Sequence, residues 1–218
     1  MKNLIGIFLI TILSLAVSYV HQNSNKTDVQ NQKNNEKFVD NSLLDFYRQY
    51  SPYIDPGEYV YLYEKLPESL TELCSLIRSQ FIHPYTELPR YHEQIPKERW
   101  NEIFRYPSEK SILKGLVSYD SSGLTKERRR EDRLILGCMQ NSILLISILK
   151  SGDIAVRVRY GHAAYLIPDF HTSHAICEVW NDNEKSWMLV YPNMDRLILA
   201  RINLILVTIH DYNCKKGR

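Results

Sequence analysis

Cysteine is scarce in this chain, with four in 218 residues. That is too few for a disulfide scaffold, so a packed apolar core has to hold the fold. Glycine and proline number 8 and 9, which excludes a collagen-like or proline-rich rod. Neither sign of charge is in excess. The 27 Lys and Arg against 25 Asp and Glu leave a formal net charge of +2, which gives no electrostatic reason to expect a nucleic acid as partner. The chain has no internal repeat and no Cys-x-x-Cys pair. Its hydrophobic content of 44% excludes wholesale disorder. What remains is one globular domain with additional length at its start.

That additional length has two parts. Lys2 precedes an apolar run over residues 4–20, interrupted by Gly6, Thr11, Ser14, Ser18 and Tyr19. A positive start, an apolar stretch and small residues at Ala16 and Ser18 read as an export signal. The run is also near the roughly 17 residues that span a bilayer, so an uncleaved membrane anchor is the second reading. Either places the protein outside the cytoplasm, secreted or membrane-anchored. Residues 21–41 hold nine Asn or Gln in 21 positions and read as a disordered linker. The folded domain is expected over residues 42–218, with its core at about 110–196. Residues 197–207 are almost wholly apolar and read as a last strand or helix.

The middle of the chain reads as helical and structural. In residues 64–81 the apolar positions Leu66, Leu70, Leu73, Leu76 and Ile77 follow a helical period, with Pro67 in the first turn and His83-Pro84 past the end. Pro89 and Pro96 mark residues 85–99 as a loop or short turns, and residues 108–119 suit another helix. Residues 126–133 interleave five positive with three negative side chains, the pattern of a solvated face rather than a nucleic-acid surface.

The chemistry concentrates between Arg133 and Asp195. Cys138 stands at the start of an apolar block, residues 142–150, that is long enough for a buried helix and is stopped by Ser151-Gly152. At such a position the unpaired backbone N–H groups and the helix dipole favour negative charge on a side chain. Residues 154–160, 174–180 and 187–191 then read as three strands of an antiparallel meander. A thiol nucleophile requires a neighbouring base. His174 opens the second of these strands and is the candidate, with His162 and His171 as competitors. A buried structural cysteine is the plain alternative for Cys138. Cys177 alternates away from His174 on the same strand and reads as core. His171-x-x-His174 with Cys138 or Cys177 has the ligand types of a zinc set, but i,i+3 residues of a strand point to opposite faces. No metal and no cofactor are expected.

These residues resemble the transglutaminase-like superfamily, which shares the papain-like Cys-His-Asp arrangement. That pattern has a glycine and cysteine opening a buried helix, a Gly-Ile-Pro-Ala-Arg type turn and strand, a His on the next strand, and a closing Trp-x-x-Val-Asp. The counterparts are Gly137 and Cys138, the run 152–157 ending in Arg157, Ser173-His174-Ala175 with Glu178-Val179-Trp180, and Trp187-Met188-Leu189-Val190-Tyr191. Arg133-Leu134 and residues 161–165 also read like bacterial proteins of this kind.

The resemblance implies an α+β, papain-like fold in which the nucleophile helix packs on an antiparallel sheet behind an N-terminal helical part. It implies Cys138 as nucleophile and His174 as base in acyl transfer or amide hydrolysis, on a protein, peptide or small amide substrate. Two positions depart from it. Tyr191 fills the slot of the carboxylate that orients the His, and Met139, Gln140 and Asn141 replace an Arg-Asp pair. Asn193 and Asp195 are further candidates for the third position, since papain-like enzymes accept an Asn there. Loss of the orienting carboxylate costs about 10⁴ in turnover in serine enzymes. The second expectation is therefore a binding module on the same fold, with weak or no catalysis.

Overall fold

The computed structural model describes residues 41–167 and 170–193, and side chains over 41–163 and 172–193. The chain divides into Met1–Asp40 and Asn41–Arg218. The expected signal or anchor, the linker to residue 40, Asp195 and the apolar run 197–207 lie outside the described residues.

The fold is α+β. An N-terminal helical part comprises α1 (Asn41–Arg48), a 3₁₀ segment (Gly57–Tyr63), α2 (Leu70–Arg78), the single turn α3 (Leu88–Tyr91) and α4 (Glu109–Tyr119). Two-residue strands β1 (Phe81–Ile82) and β2 (Leu134–Ile135) are interleaved with it. Then come α5 (Cys138–Ser151), β3 (Val156–Ile167), β4 (Phe170–Asn181) and β5 (Ser186–Val190).

Helix α2 begins six residues later than its apolar period suggests. Lys65 adopts φ 62°, a left-handed backbone that cannot propagate a helix, so Leu66 and Pro67 precede the helix rather than open it. Ser69 then caps it, accepting from Glu72 N at 3.5 Å. Helix α4 starts where expected, after Ser108, whose backbone N–H donates to Ser111 Oγ at 3.0 Å. Its buried face is Ile112, Leu113 and Leu116.

Helix α5 is apolar nearly all round because it is enclosed nearly all round. Leu144, Leu145 and Ile146 share one core cluster with Leu73 and Ile77 of α2, Leu113 of α4, and Cys177, Val179 and Val190 of the sheet. Gly152 ends the helix, and Asp153, at φ 58°, turns the chain back into β3.

The sheet is the expected antiparallel meander, in the order β3-β4-β5. Val156 pairs with Val179, Gly161 with His174, and Cys177 with Val190. Strands β3 and β4 are longer than their alternating patterns, so His174 lies inside β4 and does not open it. Cys177 is core, fully buried with its Sγ 3.7 Å from Ser142 O of α5.

The parallel pair β1–β2 carries no sequence period and is absent from the sequence reading. Leu134 N donates to Gln80 O at 3.2 Å and Leu136 N to Ile82 O at 3.1 Å. A buried ion pair braces it. Arg99 Nε donates to Glu102 Oε1 at 2.7 Å, Tyr119 Oη donates to the same oxygen at 2.7 Å, and Ile135 N donates to Oε2 at 3.1 Å. Burial alone would raise the Glu102 pKa; these donors bring it below the ordinary carboxylate value. The charged run 126–133 is also not uniformly solvated. Arg128 is 2% exposed and donates to Gln80 Oε1 and to the carbonyls of Leu116, Asp120 and Gly123, at 2.7–3.0 Å.

Candidate active site

Cys138 is the first residue of α5, and the turn before it is tied from both sides. Gly137 N donates to Gln140 Oε1 at 3.3 Å, and Asn141 Nδ2 donates to Gly137 O at 2.8 Å. Two of the three residues that stand in place of the resembled Arg-Asp pair, Gln140 and Asn141, thus fasten the helix entry. Cys138 is half-buried, whereas Cys74 and Cys177 are buried, and all three are thiols. Burial pushes the Cys74 thiol up to about 11 and the Cys177 thiol higher than its ordinary value. Neither is a nucleophile at neutral pH.

His174 is buried, and its ring meets that of Tyr191 edge to face, centroids 4.3 Å apart and planes at 82°. Burial, and then the proximity of His83, lower its pKa to about 4. Through the physiological range it is a neutral imidazole.

Two relationships bring the mouth of α5 and His174 to the same end of the fold. The first is the contact between Cys177 and Ser142, since Ser142 lies one helical turn after Cys138 and Cys177 three residues after His174. At the other end, Trp180 N donates to Ala155 O at 2.9 Å, just past the end of α5, so strand and helix run in the same direction. The second is the β1–β2 ladder. Leu136, two residues before Cys138, donates its N–H to Ile82 O at 3.1 Å, and His83, which follows Ile82, contributes to lowering the His174 pKa.

Tyr191 therefore occupies the position against His174, with Asn193 half-buried two residues beyond it. Arg78 Nη1 donates to Pro192 O at 3.4 Å and ties this turn to the end of α2. His162 is exposed on β3, opposite Ser173, and points to the face away from the Gly161–His174 pair. The His171 side chain lies outside the described residues. Among the described residues no group of three or more His, Cys, Asp or Glu is placed to hold a metal ion. Glu178 is engaged elsewhere, accepting from Arg157 Nε at 2.5 Å and Arg159 Nε at 2.7 Å.

The sequence reading missed His83, which it placed only past a helix. The signal for it was slight, an apolar pair Phe81-Ile82 running into His83-Pro84. In comparisons with known proteins, no family model, no curated protein and no solved structure matches this chain.

Proposed function

We propose that this chain is a cysteine acyl-transfer or amide-hydrolysing protein of the transglutaminase-like kind, with a papain-like core. Cys138 is the nucleophile and His174 the base. The observation that carries this reading is the joint placement of a half-buried thiol at the first position of a buried helix and a neutral imidazole on the strand packed along that helix. A neutral imidazole can accept the thiol proton as sulfur attacks a carbonyl carbon, and can return it to the departing amine. The backbone N–H groups at the α5 entry face developing negative charge. The substrate class is a protein, a peptide or a small amide, and no cofactor takes part. We assign an extracytoplasmic location on the strength of residues 1–20; no described helix is long and apolar enough to cross a membrane.

A second reading is favoured by one contact. Tyr191, not a carboxylate, lies against His174. A phenol accepts a hydrogen bond but does not stabilise an imidazolium as an anion does. In this reading the chain is a binding module in which catalysis is weak or lost.

Acetylation by p-nitrophenyl acetate separates the two. Acyl transfer gives a stoichiometric burst of nitrophenolate and an acetyl group on the Cys138 peptide, both abolished by Cys138→Ala. A binding module gives no burst and no acetylated Cys138.

A further inference from the structure

On the acyl-transfer reading above, we infer that Asn141 is a positioning residue, whose side-chain amide aims the Cys138 backbone N–H at the carbonyl oxygen of an acyl donor on the sulfur. Cys138 supplies both the nucleophile and that hydrogen bond. Asn141 touches no reactant and sets the direction of the bond.

One peptide unit carries the geometry. Gly137 O accepts from Asn141 N at 3.2 Å and from Asn141 Nδ2 at 2.8 Å. Both donors lie on the helix side of the carbonyl, so it points into α5. The Gly137–Cys138 peptide is trans, which sets its N–H opposite to its C=O. The Cys138 N–H therefore points out of the helix mouth, and among the described residues it meets no acceptor. Gln140 holds the other side of Gly137, its Oε1 accepting from Gly137 N at 3.3 Å. A Cβ on Gly137 would come to 3.3 Å from Ile103 Cδ1, so the peptide has little room to turn.

Stability does not call for this side chain. Asn141 is 2% exposed, in the first turn of a helix whose buried residues are mostly apolar. Asn is a poor helix former, and a buried amide is costly to desolvate. The carbonyl it reaches is already satisfied by the backbone N–H of the same residue. The second donor instead fills the other lone pair, fixes the plane of the peptide and polarises it. Polarisation makes the N–H at the far end of that peptide a stronger donor. Negative charge develops beside it when the sulfur attacks a carbonyl.

With p-nitrophenyl acetate as the acyl donor the step is closed. The thiol proton moves to His174 as the sulfur–carbon bond forms, and the carbonyl electron pair moves onto oxygen, which accepts the Cys138 N–H. The pair returns as the carbon–oxygen bond to p-nitrophenolate breaks. An acetyl thioester remains on Cys138, and the proton on His174 passes to solvent.

The test compares two reactions of the same sulfur in the full-length protein. Acetylation develops a carbonyl anion; alkylation by iodoacetamide does not. Asn141→Leu keeps the size and branching of the side chain without its donor, and an apolar group suits the buried position. It should slow acetylation of Cys138 by at least about tenfold and leave alkylation within about threefold. Asn141→Ala removes the donor without adding apolar bulk and should show the same split. Ser hydroxyls bond the carbonyl four residues back in a helix, so Asn141→Ser should recover most of the lost acetylation rate. Acetylation at the wild-type rate in Asn141→Leu and Asn141→Ala overturns the inference while leaving Cys138 as nucleophile. Equal slowing of both reactions, or a Ser variant no faster than the Leu variant, also overturns it, since either marks a packing role. If wild-type Cys138 is not acetylated at all, the acyl-transfer reading fails and takes this inference with it.

Discussion

The rings of His174 and Tyr191 meet edge to face with centroids 4.3 Å apart, in the position where the resembled pattern has a carboxylate. An anion there would hold an imidazolium; a phenol does not. His174 is an imidazole that stays neutral, its pKa lowered to about 4 first by burial and then by His83.

This gives the first prediction. The folded pKa of His174 is depressed below the ordinary histidine value, so the unfolded chain binds the proton first. The associated stability is present above about pH 6.5 and is lost as pH falls towards about 4. Ring resonances of His174, followed by NMR, should titrate near pH 4. An opposite charge close by shifts a pKa by about 1–3 units, so Tyr191→Asp should raise this midpoint by at least about one unit. A wild-type midpoint above pH 6 contradicts the environment described here.

Glu109 carries the second prediction. It is fully buried on α4, with Tyr63 Oη 2.7 Å from its Oε1 and also 2.7 Å from Ser147 Oγ of α5. Among the described residues its Oε2 has no hydrogen-bond partner. Burial raises its pKa to about 8, against a partial lowering by the Tyr63 hydrogen bond. The unfolded chain therefore ionises first as pH rises. Stability should decline between the ordinary carboxylate value and about pH 8, by up to about 1.4 kcal/mol per pH unit, and level off above. Urea unfolding midpoints at pH 5 and pH 8 should differ more in wild type than in Glu109→Gln. Equal pH dependence in the two proteins contradicts this.

The third prediction concerns Arg99 and Glu102, which join the loop after α3 to β2. Removing one member of a buried pair leaves the other charge uncompensated and costs about 3–5 kcal/mol, so Arg99→Ala should lower the unfolding free energy by that amount. Arg99→Met combined with Glu102→Met should lose less than Arg99→Ala alone. Thermal unfolding of the three proteins checks both statements. A drop under about 1 kcal/mol for Arg99→Ala would mean the pair is solvent-screened.

Much of this architecture was legible in the sequence. Helix α5 declares itself because an unbroken apolar run stopped by Ser151-Gly152 has few alternatives, and the meander declares itself by period two. The departures have specific causes. The strands β1 and β2 are two residues each, too short to carry any period. Arg128 sits in a mixed-sign run that reads like any solvated face, yet backbone carbonyls receive it. Glu109 reads as an acid suited to a helix start, and nothing local reveals its burial. The influence of His83 on the His174 pKa was illegible for the same reason as β1, because it depends on residues distant in the sequence.

The central claim is that His174 serves the sulfur of Cys138. The most direct measurement is the rate of alkylation of each cysteine by iodoacetamide, resolved by peptide mass spectrometry at pH 7, in wild type and in His174→Gln. The account predicts that Cys138 reacts well ahead of Cys74 and Cys177, and that His174→Gln slows Cys138 by at least about tenfold, within the range of general-base contributions. A Cys138 rate that His174→Gln leaves unchanged would contradict the account.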